Sequence, residues 1–272
     1  MADSAHFTWA PVDWIDPSGG IIRLWPFLPN VVYSSTLRRT EGNWHGLAFL
    51  LPDDESEIWD SQFEEEKSSP GINRDAMISS GGTLARMMLG MSSIETIQTC
   101  RFPDPEPRRL LQAALSSSGK GPRPVFFIEP DDEEWTEWVE DCADEMVRIK
   151  HLIRSIFSGR IWRKMLRESI RKVSPPSQER DNEKASGYAQ ASAFAATWWA
   201  RSESILTPEL QVRRDERLAS RLRGSLATLS GGQVDDEEAP VLLVPVMQAW
   251  LPSILKALEK SPPPEHVGEE EE

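Results

Sequence analysis

The cluster in this chain best suited to general-base chemistry is Asn43-Trp44-His45-Gly46. An imidazole titrates near neutrality and can take a proton from a hydroxyl within hydrogen-bond reach. The turn Ser79-Ser80-Gly81-Gly82 could supply that hydroxyl together with backbone donors. No Gly-x-Ser-x-Gly elbow accompanies either segment. The run Asp131-Asp132-Glu133-Glu134 has the oxygen ligands for Mg2+ and the carboxyls for acid–base work. Its position at the start of an expected helix assigns it instead to complementing the helix dipole. Zinc needs three or four clustered ligands, whereas His6, His45, His151, His266, Cys100 and Cys142 are scattered. The expectation is therefore no metal and no cofactor, with Cys142 a core thiol on an apolar stripe.

Leu229-Ser230-Gly231-Gly232-Gln233 spells the signature pentapeptide of ABC-type ATPases. The resemblance stops at those five residues. Asp235, Asp236, Glu237 and Glu238 follow, and carboxylates there repel a phosphate. The companion phosphate loop is missing as well. Around Ser118-Gly119-Lys120-Gly121, the position that needs Ser or Thr is Gly121, and the one that needs the first Gly is Ala114. The pentapeptide reads as a glycine-rich loop.

Charge is laid out in blocks. The chain carries 44 acids against 30 bases, a net charge of −14, which argues against coating a polyanion over most of the surface. Residues 53–66 and 129–146 are acidic and hold no base. Residues 148–172 invert the pattern, with Arg148, Lys150, Arg154, Arg160, Arg163, Lys164, Arg167, Arg171 and Lys172 against the single acid Glu168. Such a block on an amphipathic helix suits a phosphate, a membrane surface or a partner's acidic surface, or else docks on the chain's own acids. Eleven tryptophans are many for this length. Trp9, Trp14 and Trp25 share a proline-rich segment and are candidates for an aromatic interface.

The elements that position these groups can be read from period and punctuation. Ile21-Ile22-Arg23-Leu24-Trp25, Val31-Val32-Tyr33 and residues 44–51 look like short strands of a meander, separated by Gly, Pro and Asn. Residues 53–66 read as an acidic loop. Residues 74–91 read as a helix that Gly81-Gly82 splits, 94–102 as a strand, 105–115 as a helix, and 125–128 as a buried strand. From residue 131, Trp138, Cys142, Met146, Ile149, Ile153 and Ile156 form one helical stripe. Trp162, Leu166, Ile170 and Val173 continue it beyond a break expected near Gly159. Helices follow over 183–206 and from Thr207-Pro208-Glu209, a cap with proline at the first position, to about Leu229. Residues 241–244 read as a strand and 246–260 as a last helix. The proline-rich, acidic segment 261–272 reads as disordered.

The fold class expected is α+β, with a small β-rich region over 1–130 and a helical bundle over 131–260. Two cysteines, no basic and apolar leader, and no run of about 18 apolar residues suit a reducing, cytoplasmic setting. The leading reading is a non-catalytic interaction or regulatory subunit of a multiprotein assembly, with protein partners. The alternatives are an accessory nucleic-acid-binding protein using 148–172, and an enzyme with its site near His45.

Overall fold

A computed structural model describes residues 7–37, 42–116, 121–148, 158–231 and 239–267. The fold is α+β. Five strands form one mixed sheet: β1 (Val12–Ile15), β2 (Ile21–Phe27), β3 (Gly46–Phe49), β4 (Val125–Phe127) and β5 (Val241–Met247). Their spatial order is β1-β2-β5-β3-β4. Only β1 and β2 are antiparallel; the other neighbours run parallel.

The expected N-terminal meander is not formed. β5 lies between β2 and β3, so a strand from the far end of the sequence occupies the centre of the sheet. It also runs through Pro245 to Met247, beyond the expected end at Val244. Proline lacks the N–H that a central strand normally donates on both sides. The Val241 amide and carbonyl face His45 at the β3 edge, and side alternates with each residue, so Pro245 faces the same way. The β3 ladder has ended by then, at Leu47↔Leu243, so no donor is missed.

Nine helices surround the sheet among the described residues. They are α1 (Glu55–Ser68), α2 (Ile72–Ser79), α3 (Gly82–Ser92), α4 (Pro105–Leu115), α5 (Glu133–Val147), α6 (Ser158–Lys172), α7 (Asn182–Glu203), α8 (Pro208–Ser230) and α9 (Leu251–Glu259). On one sheet face Ile22, Leu24, Leu242 and Val244 pack against Leu222 and Leu226 of α8 and Ile254 and Leu258 of α9. On the other, Trp25, Phe49 and Leu243 meet Trp59 of α1 and Leu110 of α4. Beyond the carboxyl ends of β2 and β5, a third cluster joins Phe27, Leu28 and Met247 to α3, α7 and Trp162 of α6.

Three local expectations change. The acidic run is helical, not a loop: α1 exposes most of its acids, leaves Glu55 and Glu66 half-buried, buries only Trp59, and places Glu55 and Glu57 in the first turn. Segments 31–33 and 94–102 are not strands. They meet as irregular backbone, with Val32 N donating to Gln98 O, Arg101 N to Asn30 O, and Asn30 Nδ2 to Arg101 O. Positive φ at Asn30 (58°) and Cys100 (53°) turns both segments out of extended geometry. Third, of the segment 261–272 expected to be disordered, residues 262–267 are docked, and 268–272 lie outside the described residues. Glu265 N donates to Ser220 O at 3.0 Å, Arg217 and Arg221 grip the Glu265 carboxylate at 3.1 Å, and Val267 reaches the core. Gly224 makes the approach possible, because a Cβ there would sit 1.7 Å from Glu265 O.

The double-glycine split appears as written, with α2 ending at Ser79 and α3 starting at Gly82. The Thr207 cap is present too: its hydroxyl accepts from Leu210 N, with Pro208 behind it.

Candidate interaction surface

The basic block becomes a helix, α6, after a stretch that lies outside the described residues. α5 stops at Val147, and Arg148 leaves helical geometry at ψ 139°. The stripe therefore does not pass from Met146 into Ile149 on one helix. Lys150, Arg154, Ile149, Ile153 and Ile156 lie outside the described residues.

α6 lies against α7 and reaches α3. Trp162 and Ser169 are buried, Met165 and Leu166 half-buried, and Arg86 of α3 donates to Ser158 Oγ at 2.9 Å. At its other end, Phe7 N donates to Lys172 O and Trp9 Nε1 to Ser174 O, so the N-terminal segment pins the end of the helix. The opposite face is cationic. Arg160, Arg163, Lys164, Arg167, Arg171 and Lys172 are all exposed. Among the described residues the only ion pair they make is Lys164–Glu168, at 4.0 Å between two exposed side chains. Arg163 Nε also donates to Gly159 O, one turn back. At ~100° per residue, Arg160, Lys164, Arg167 and Arg171 lie within about 60° of arc, opposite Trp162 and Ser169. They span roughly 16 Å at ~1.5 Å per residue.

Arg148, the first of the block, is spent differently. It pairs with the buried Glu145 at 2.7 Å. Three of the neighbouring acids are also taken, but not by α6. Arg217 of α8 holds Asp132, and Arg213 approaches Glu134 and Asp141 at 3.6 and 3.5 Å. Asp132 caps α5 by accepting from Trp135 N at 2.9 Å, and the guanidinium of Arg217 holds its carboxyl below the usual range. Asp132 and Glu134 of the run thus do structural work, and no group of acids, histidines and cysteines among the described residues has metal-site geometry.

His45 is not brought to a hydroxyl in the 79–82 turn. Its Nδ1 accepts from Val241 N at 3.0 Å, at the amino end of β5. Ile78 and Leu84, flanking the turn, pack on the same cluster as Met247, which closes the carboxyl end of that seven-residue strand. The residues flanking the turn thus belong to the cluster beyond the carboxyl end of β5, whereas His45 meets its amino end. Ser80 Oγ donates instead to Met77 O.

The three tryptophans do not share one face. Trp25 is core, 1% exposed, with its indole N–H on Glu106 at 2.8 Å. Trp14 packs on the α8 side of the sheet, and Trp9 meets Tyr188 edge-on. Cys100 and Cys142 are buried free thiols, and burial pushes the Cys142 thiol up to about 11. Leu229 of the glycine-rich pentapeptide is buried in the sheet core, while Gly232, Gln233 and the Ser118-Gly119-Lys120 candidate lie outside the described residues.

The sequence reading passed over one charged cluster, at the carboxyl edge of the parallel strands. Asp104 Oδ1 is buried without a hydrogen-bond partner, and Glu106 lies beside it in an ion pair with Arg109 at 2.8 Å. Burial, reinforced by Glu106 and Glu55, pushes the Asp104 carboxyl up to about 8. An acid two residues before a charged one near a helix start reads locally as ordinary dipole compensation. No family model matches the chain, and no curated protein or solved structure matches it significantly.

Proposed function

We propose that this chain is an interaction subunit that docks an acidic protein partner on the exposed face of α6. The observation that carries the reading is the exposed cation stripe, whose one ion pair among the described residues is Lys164–Glu168, backed by a packed layer of α3 and α7, in contrast to the arginines of α8. Arg213, Arg214, Arg217, Arg221 and Arg223 of α8 all hold carboxylates, whereas Arg160, Arg167, Arg171 and Lys172 hold none among the described residues. Exposed and pre-ordered cations gain more from an incoming acid than cations already paired, and they specify register as well as attraction. The buried free thiols suit a reducing compartment such as the cytoplasm. Among the described residues no helix is long and apolar enough to cross a membrane, which leaves the apolar side of α6 to its protein neighbours.

Nucleic acid is the competing occupant. The net charge of −14 opposes a long polyanion, and the short stripe favours a limited acidic surface. The test compares a labelled polyglutamate peptide with a labelled single-stranded RNA by fluorescence anisotropy. Wild type should bind the peptide, and joint Arg160→Ala, Lys164→Ala, Arg167→Ala and Arg171→Ala should weaken it about tenfold. RNA bound more tightly than peptide, with a log–log salt slope near −3 for four phosphates, would overturn the reading.

A further inference from the structure

α5 carries an exposed stripe of the opposite sign. Glu133, Glu137, Glu140 and Asp144 recur at steps of four, three and four. Arg160, Lys164, Arg167 and Arg171 recur at the same steps. On α5 the buried side chains are Trp135, Cys142 and Glu145, and the four acids lie opposite Trp135 and Cys142. All four are exposed, and none makes an ion pair among the described residues. The capping Asp132, with Glu134 and Asp141 of α5, pairs toward α8, and Glu145 pairs with Arg148. Val147 beside the acidic stripe and Ile170 beside the basic one are exposed apolar side chains, at 68% and 57%.

The two stripes do not neutralise each other within one molecule. α5 is seated on α8 through its ion pairs and through Trp138 Nε1, which donates to Leu210 O at 3.0 Å. α6 is seated on α7 and α3, and no ion pair joins it to α5 among the described residues. A four-three-four spacing reads the same in both directions, so two such helices register whether they run parallel or antiparallel. In the antiparallel case Glu133 faces Arg171, Glu137 faces Arg167, Glu140 faces Lys164 and Asp144 faces Arg160.

We infer that the partner of α6 is a second copy of this chain, which presents α5. The inference rests on the α6 docking reading and names its occupant. A two-fold pair satisfies both stripes of both copies, because each contributes one acidic and one basic helix to a self-complementary contact. Exposed ion pairs are individually weak and are screened within about 8 Å at physiological salt. The association is therefore reversible and favoured by low salt.

The experiment is sedimentation equilibrium of the full chain over a range of concentrations, at low and high salt. Wild type should pass from monomer to dimer at low salt and weaken about tenfold or more at high salt. One variant carries Arg160→Glu, Lys164→Glu, Arg167→Glu and Arg171→Glu. The other carries Glu133→Lys, Glu137→Lys, Glu140→Lys and Asp144→Lys. Each should be monomeric alone, and an equimolar mixture should form a heterodimer, which also shows that both remain folded. The corresponding alanine sets should weaken wild-type association without creating that heterodimer. A wild type that stays monomeric throughout, or one whose association survives reversal of α5, overturns the inference. If polyglutamate still binds α6 in that event, the docking reading stands with a different acidic partner. If polyglutamate does not bind while the charge-swapped mixture pairs, both readings stand and α6 takes a folded acidic helix in preference to a flexible acidic peptide.

Discussion

At the scale of single residues, the abundance of tryptophan has a structural account. Three indoles spend the N–H on a carboxylate, Trp25 on Glu106, Trp135 on Glu129 at 3.2 Å and Trp250 on Asp215 at 2.9 Å, and Trp9 and Trp138 spend theirs on backbone carbonyls. A buried indole N–H without a partner costs free energy, and an acidic chain has carboxylates to offer. Asp104 is the exception, a carboxyl whose Oδ1 finds no donor. Its carboxyl titrates at about 8 in the fold against 3.8 for the free side chain. The folded state therefore binds a proton that the unfolded chain has released, and stability falls as pH rises through that interval. Asp104→Asn removes the titration while keeping the shape. The melting temperature of the variant relative to wild type should rise from pH 5 to pH 8 and then level off. A difference independent of pH would show that Asp104 is ionised in the fold.

At the scale of elements, α8 is the member on which most of the molecule is assembled. It covers one sheet face, binds α5 through Arg213 and Arg217, and holds Asp16 of the β1–β2 turn through Arg223 at 2.7 Å. Residues 262–267 close over it at Gly224. We expect Gly224→Ala to displace this segment and lower the melting temperature by on the order of 5 °C, taking about 2–4 °C per kcal/mol. Truncation after Ser261 should cost a similar amount. Combining the two should add little, since both remove the same contact. Additive losses would place the damage of Gly224→Ala inside α8 itself.

At the scale of the whole molecule, the sheet ties the two ends of the chain together. β2 and β3 have no ladder with each other, and each pairs with β5. Gln248, just past β5, also receives the N-terminal segment, its Nε2 donating to Thr8 O at 2.8 Å. Residues 1–130 expressed alone should consequently lack a cooperative thermal transition and disperse poorly in an amide NMR spectrum. Supplying residues 131–272 in trans should restore both. A folded 1–130 fragment would mean that β2 and β3 can pair directly once β5 is absent.

Much of the helical layer was legible in the residues. Gly81-Gly82 ends α2, Thr207-Pro208 starts α8, and the alternation of apolar and basic positions after Ser158 sets both faces of α6. These features depend on groups a few residues apart, which helical period and capping read directly. The order of the strands was not legible, nor was the passage of β5 through Pro245, the docking of 262–267, or the separation of His45 from the 79–82 turn. The same holds for the charges. Arg148 and Arg160 belong to one basic block, yet Glu145 neutralises the first and nothing described neutralises the second. Strand order and ion-pair choice are settled between segments far apart in sequence, by which partner lies within a few ångströms once the core has closed. Composition and period say that a lysine or arginine faces outward, and only the packed structure decides what is already there to meet it.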